Sequence, residues 1–297
     1  MGSALAILGF CLLILSCFIL AVKTLEARFG PEAVPVLELF EGLRIKSGIL
    51  RIVIVAGFLT AVLTLIQLGA ENKLGTNTLS LRWLFPFLVY VAALNLCLEL
   101  SRHLQMQKWL RISLQCLAPV IVAFSWLVDP NWIAINAAAA VLVIFILSSS
   151  GILTIRSLVI VALGVMLYDI VAVFVTGTMQ KVAFGVVQDT PLLFKVPSEF
   201  DLNSAILFKL GLGDVVLPGF IVMVAALEAR RFGLRSLFTF TVIGYFIGLI
   251  ITLAILFVTY LPQPATIYLI PSTFGAFLFA AWRKDMTRTI FFCDKLK

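Results

Sequence analysis

The sequence predicts an all-α membrane protein, a bundle of nine transmembrane helices with its N-terminus lumenal or outside and its C-terminus cytosolic. Three observations predict it. Of the 297 residues, 62% are hydrophobic and 12% charged, and the mean hydropathy is +1.14, a composition of polytopic membrane chains rather than soluble domains. Nine apolar runs follow one another, most of them near the ~20 residues that a spanning helix needs. The basic residues gather on alternate sides of those runs, which sets the direction of the chain.

The runs lie at 2–22, 49–69, 83–100, 109–128, 132–147, 157–175, 205–227, 236–260 and 264–282. No basic residue precedes Lys23, and the first run is long enough to span, so it reads as a retained helix and not a cleaved signal. The fifth run is short and follows a tight Asp129-Pro130-Asn131 turn. Segments after odd-numbered runs carry Lys23, Arg28, Arg44, Lys46, Arg102, Lys108, Arg111, Arg156, Arg230, Arg231 and Arg235, and the tail adds five more. Segments after even-numbered runs carry only Lys73, Arg82, Lys181 and Lys195. The positive-inside rule then puts the C-terminus in the cytosol. The net charge of +7 is accounted for by these loops, and nucleic-acid binding is set aside. No low-complexity segment or linker divides the chain, which reads as one polytopic domain over 1–297.

Cys11, Cys17, Cys97 and Cys116 fall in apolar runs without metal-ligand or disulfide spacing and read as small buried hydrophobes. Cys293 is juxtamembrane and open to palmitoylation. His103, beside Arg102, reads as an interfacial residue. Neither a metal nor a cofactor is expected.

The functional signal is a pair of aspartates. Asp169 lies in the sixth run and Asp214 in the seventh. A carboxylate at a helix centre costs roughly 2.5–3.5 kcal/mol on insertion scales, so each implies a function. Asp169 is six residues from the outer end of its run, and Asp214 nine residues past the outer start of its own. At helical rise these are about 9 and 14 Å from the outer boundary, so the two can face each other. Two apposed carboxylates do not readily both ionise; one keeps its proton and the pair titrates together. That arrangement suits peptide hydrolysis, with one carboxylate taking a proton from water and the other polarising the scissile carbonyl.

The surroundings fit this chemistry. Gly211-Leu212-Gly213 precedes Asp214 and allows close backbone approach by a helix or a substrate strand, although helix packing alone also uses glycine. Pro218-Gly219 is expected to kink or loosen the helix beyond Asp214. Tyr168 precedes Asp169 and is placed to hydrogen-bond near it. Pro262-Gln263-Pro264-Ala265-Thr266 opens the ninth run with irregular backbone, which survives at membrane depth where it lines a cavity or meets a strand. Residues 181–187 are rich in β-formers and read either as a strand for an extended substrate or as an ordinary loop strand. Gln67, Asn95, Glu99, Asn136 and Lys209 read as interhelical or interfacial polar groups, with Glu99 paired to nearby Arg102.

These residues resemble the intramembrane aspartyl proteases of the presenilin and signal peptide peptidase family. Tyr168-Asp169 is similar to the family's YD motif, Gly211-Leu212-Gly213-Asp214 to GxGD, and Gln263-Pro264-Ala265 to most of the QPAL-type motif, in order over about 157–282. Asp214-Val215-Val216-Leu217-Pro218-Gly219 and the stretch 263–271 look more like signal peptide peptidase, as does the outward N-terminus; Lys209-Leu210 looks more like presenilin. The third motif ends in Leu in the family and in Thr266 here. No long segment precedes the first run, which points away from subtypes with a protease-associated domain.

The resemblance implies an intramembrane aspartic endopeptidase with Asp169 and Asp214 catalytic. Tyr168, Gly211, Leu212 and Gly213 would support them, and Gln263, Pro264, Ala265 and Thr266 would bind substrate. Residues 1–150 are then scaffold and 151–297 hold the catalytic helices. Its partners would be single-span transmembrane peptides, type II proteins or signal peptide remnants, unwound near 211–213 and Pro264. Membrane lipid surrounds it, and a homo-oligomer is open. The location would be an endomembrane such as the endoplasmic reticulum in a eukaryote, or the plasma membrane in a prokaryote. Two other readings stay open: a proton-coupled transporter using the same aspartates, although nine spans divide poorly into repeats, and a pseudoprotease that binds helices without cutting.

Overall fold

The computed structural model describes residues 2–29, 78–103, 108–128, 131–149, 155–175, 190–202, 204–259, 263–287 and 290. The second expected span, the 181–187 strand, Asp129-Pro130, Pro262, Cys293 and the side chains of Glu99, Arg102 and His103 lie outside the described residues. The described chain is mostly helical: α1 Gly2–Phe29, α2 Thr78–His103, α3 Lys108–Val128, α4 Trp132–Ser149 and α5 Ile155–Ile170. A π-helical turn, Val171–Val175, follows α5. A two-stranded antiparallel sheet, β1 Leu193–Pro197 and β2 Ile206–Gly211, comes next. The chain ends in α6 Leu212–Arg231, α7 Arg235–Thr259 and α8 Thr266–Trp282.

Three of these helices are long and apolar enough to cross a membrane: Gly2–Leu25, Leu212–Arg231 and Arg235–Thr259. Shorter apolar helices occupy Phe85–Leu98, Gln115–Ser125, Trp132–Ser148, Leu158–Phe174 and Thr266–Trp282. Outward faces carry large apolar side chains such as Leu8, Ile121 and Ile250, each over half exposed, as befits surfaces solvated by lipid.

The chain divides into two compact units. The first comprises Met1–Pro31, Gly69–Ser150 and Ala183–Val216, and the second Glu32–Leu68, Gly151–Val182 and Leu217–Lys297. In the first, α4 is the central element. Its alanine-rich sequence favours helix and lets neighbours approach closely. Asn131 caps it, its Oδ1 accepting the Ala134 N–H at 2.9 Å. Helices α1, α2 and α3 and strand β1 all pack on α4. Phe85, Val89, Ala92, Ala123, Ile135 and Ala138 form the core between them, with Leu192 and Leu212 against it. Phe10 of α1 meets Phe194 and Phe208 edge-on at 5.8 Å each, fixing the hairpin to the first helix.

In the second unit α7 and α8 pack along a glycine seam. A Cβ on Gly244 would stand 2.6 Å from the Ser272 carbonyl oxygen, and one on Gly248 3.0 Å from Leu269 Cα and the Tyr268 oxygen. The two glycines, four residues apart, let the backbones touch. Helix α6 ends in a Schellman turn. Gly233 has φ +68°, Leu234 N–H donates to Ala229 at 2.7 Å, and Gly233 N–H donates to Arg230 at 3.1 Å. Ile155, Leu158, Ile221, Ala225, Leu237 and Phe277 form the core beneath.

The seventh run departs from expectation. It reads in sequence as one helix over 205–227, yet residues 206–211 are strand and the helix begins at Leu212. A short apolar run does not distinguish buried strand from buried helix by periodicity. The partner decides it, because β1 pairs residue by residue from Leu193 with Gly211 to Val196 with Phe208. Asp214 therefore stands in the first turn of its helix. The depth of about 14 Å assumed helical rise throughout, whereas strand advances about 3.3 Å per residue. The kink expected at Pro218 does not break α6, which runs on to Arg231. What Pro218 removes is the amide that would reach back to the Asp214 carbonyl.

Candidate active site

Asp214 is positioned by the junction of β2 and α6, in the first unit. The ladder of the hairpin reaches the helix itself, for Leu212 N–H donates to the Leu192 carbonyl at 2.8 Å. The Leu212 side chain packs against the α2–α4 core, so the variable position of the Gly-Leu-Gly-Asp sequence anchors the junction. Asp214 turns back on its own start: its Oδ2 accepts the Gly211 N–H at 3.1 Å. This is the acidic half of a capping box, a carboxylate at the third helical position closing onto the residue before the first. The positive end of the helix dipole favours a carboxylate there. Gly211 has a steric reason to be glycine, since a Cβ would lie 3.0 Å from Asp214 Oδ2. A Cβ on Gly213 would meet nothing within 4 Å among the described residues.

Asn136 holds this junction from the other side, a role that its sequence context does not reveal. Buried in α4, it donates through Nδ2 to the Lys195 carbonyl at 2.7 Å and accepts the Lys195 N–H on Oδ1 at 2.8 Å. One side-chain amide thus takes the place of a neighbouring strand along β1. The available signal was a lone amide in an alanine-rich helix, which also fits an ordinary interhelical bond.

Asp169 belongs to the second unit, on the last turn of α5 just before the π-helical turn. Such turns recur at functional sites because they break the regular ladder. Asp169 Oδ2 accepts a hydrogen bond from Thr266 Oγ1 at 2.7 Å. Thr266 is the first residue of α8 and is 1% exposed. The Gln263-Pro264-Ala265 segment builds this start. Tyr268 Oη donates to Gln263 Oε1 at 2.7 Å, and Gln263 Nε2 donates to Thr259 Oγ1 at 3.3 Å. The Pro264 carbonyl accepts Ile267 N–H at 3.3 Å, and Ala265 accepts the amides of Tyr268 and Leu269 at 3.0 Å each. Ala265 precedes the helix without a side-chain cap.

The structure thus brings Thr266 to Asp169 and Gly211 to Asp214. Gln263, Pro264 and Ala265 shape the helix start through their bonds to Thr259, Ile267, Tyr268 and Leu269. Tyr168 stands at the surface of its unit, 36% exposed. Among the described residues no three His, Cys, Asp or Glu side chains gather to hold a metal ion.

A family model described as signal peptide peptidase matches residues 3–295. Intramembrane protease 2 of Caenorhabditis elegans is 30% identical over 182 residues, 54% of this chain and 37% of that protein. Signal peptide peptidase-like 2B of Gallus gallus is 27% identical over 59% of this chain and 34% of its own. Signal peptide peptidase-like 1 of Arabidopsis thaliana is 26% identical over 68% of each. The chain spans little more than a third of the length of the first two relatives. Matched over nearly its whole length, the chain belongs to the signal peptide peptidase family.

Proposed function

We propose that this protein is an intramembrane aspartic endopeptidase that cuts single-span transmembrane segments, type II proteins or signal peptide remnants among them. The observation that carries the reading is the local state of the two aspartates in a chain of this family. Asp214 stands in the first turn of α6 and accepts a hydrogen bond from Gly211 N–H, and Asp169 stands where α5 passes into its π-helical turn and accepts one from Thr266 Oγ1. The relative named intramembrane protease 2 supports the same class of activity.

In that reaction one carboxylate takes a proton from water, whose oxygen bonds to the scissile carbonyl carbon. The other carboxyl protonates the carbonyl oxygen and, through the pair, a proton reaches the amide nitrogen as the C–N bond breaks. A transmembrane helix must first expose that bond. The β2–α6 junction with its two glycines and the irregular start of α8 are where we place this unwinding. The full arrangement would be nine spans with the N-terminus outside, in an endomembrane or, in a prokaryote, the plasma membrane.

Asp169→Asn and Asp214→Asn, purified with a single-span reporter, are each expected to lower cleavage by at least about 10²–10⁴-fold, the usual worth of an acid–base group. Both variants should elute like the parent on size exclusion. Single variants that cut at the parental rate would remove the dyad. A parent that does not cut, yet moves protons in liposomes, would make the protein a carrier.

A further inference from the structure

We propose that Thr266 is a positioning residue for Asp169, supporting that carboxylate through its hydroxyl. The inference rests on the protease reading and assigns Thr266 a role other than contact with substrate.

Three observations carry it. First, the hydroxyl crosses between helices. In the described helices Thr24, Thr239, Thr241, Thr252, Thr259 and Thr273 each donate to the carbonyl four residues back. Thr266 instead gives its hydrogen to a side chain 97 residues away, at 2.7 Å. Second, Thr266 is 1% exposed, so its hydroxyl must spend its hydrogen inside the protein. Third, its Cα is held independently of the bond. Ala265 beside it is buried, Gln263 is tied to Tyr268 and Thr259, and the helix start is closed by the Pro264 and Ala265 carbonyls. The start of α8 that carries the donor is therefore held by bonds other than the one to the carboxylate.

The last torsion of an aspartate is broad and roughly two-fold, so the carboxylate plane is the loosest part of such a site. A fixed donor on Oδ2 removes that freedom and leaves Oδ1 in a defined direction for water. A leucine at 266 would pack the same space without constraining the plane.

The test compares the parent with Thr266→Val, which keeps the shape and loses the hydroxyl, and Thr266→Ser, which keeps the hydroxyl. Thr266→Ala reads the same contrast if the valine variant misfolds. The readouts are kcat and KM on a single-span reporter, with thermal unfolding in micelles as control. We expect Thr266→Val to lose about ten-fold or more in kcat, the usual scale for a hydrogen bond to a charged group. KM should stay within about two-fold, because the bond is to the carboxylate and not to substrate. Thr266→Ser should recover most of the rate. Equal losses in valine and serine variants would assign Thr266 to packing, and an unchanged valine variant would remove the role. A loss confined to KM would return Thr266 to substrate binding. A parent that cuts and depends on Asp169, beside an unaffected valine variant, overturns this inference alone; a parent that never cuts overturns the protease reading with it.

Discussion

At the scale of single residues, the site is a matter of where two carboxylates are held and by what. Asp214 is fixed by its own helix start, and the fixing depends on the missing side chain of Gly211. We predict that Gly211→Ala lowers kcat, since its Cβ would lie 3.0 Å from Asp214 Oδ2 and the carboxylate would have to give by a few tenths of an ångström. Steady-state cleavage measures this, and parental activity would mean that the carboxylate yields without loss. The two candidate aspartates stand out in the sequence, because an acidic residue in an apolar run carries a cost that demands a reason. Their hydrogen bonds do not. Thr266 reads as a substrate contact beside a proline, and nothing in its spacing points to a residue 97 positions earlier.

At the scale of elements, the decisive unit is the β1–β2 hairpin, which delivers the chain to Gly211. It is held on one face by Phe10 and along β1 by the Asn136 amide. Replacing Asn136 with Leu would remove both of its bonds to the Lys195 backbone, a cost of up to about 1–3 kcal/mol for each group. We expect a lower unfolding temperature in micelles, a smaller loss for Asn136→Ser, and reduced cleavage from the displaced junction. A leucine variant as stable as the parent would show that the amide is expendable. This hairpin was the least legible part of the fold. Ile206 to Leu210 satisfies both a spanning-helix pattern and a buried-strand pattern. Only the pairing with β1, invisible without tertiary contacts, separates them. The helices were far plainer. Outside that run, expected spans among the described residues fall on helices, their ends shifted by several residues at most, since long apolar segments leave the backbone no other internal partners.

At the scale of the whole molecule, the expectation to check is direction across the membrane. The basic residues of the α6–α7 turn, Arg230, Arg231 and Arg235, should face the cytosol, and the hairpin loop the opposite side. In a cysteine-free background, Ser198→Cys should react with an impermeant maleimide applied from outside, and Phe232→Cys only after permeabilisation. The reverse pattern would invert the topology. Length and composition carried the membrane assignment, and charge placement supplies the expected direction that this labelling tests. The division into two units could not be read, because each is assembled from three separated stretches of chain. The glycine seam has a consequence that reaches beyond stability. Gly248 sets how near the backbone of Tyr268 and Leu269 can come, and the same Tyr268 hydroxyl secures Gln263, three residues ahead of the threonine that grips Asp169. The seam thus acts as a gauge block. What it spaces is the start of α8, the helix whose first residue reaches Asp169.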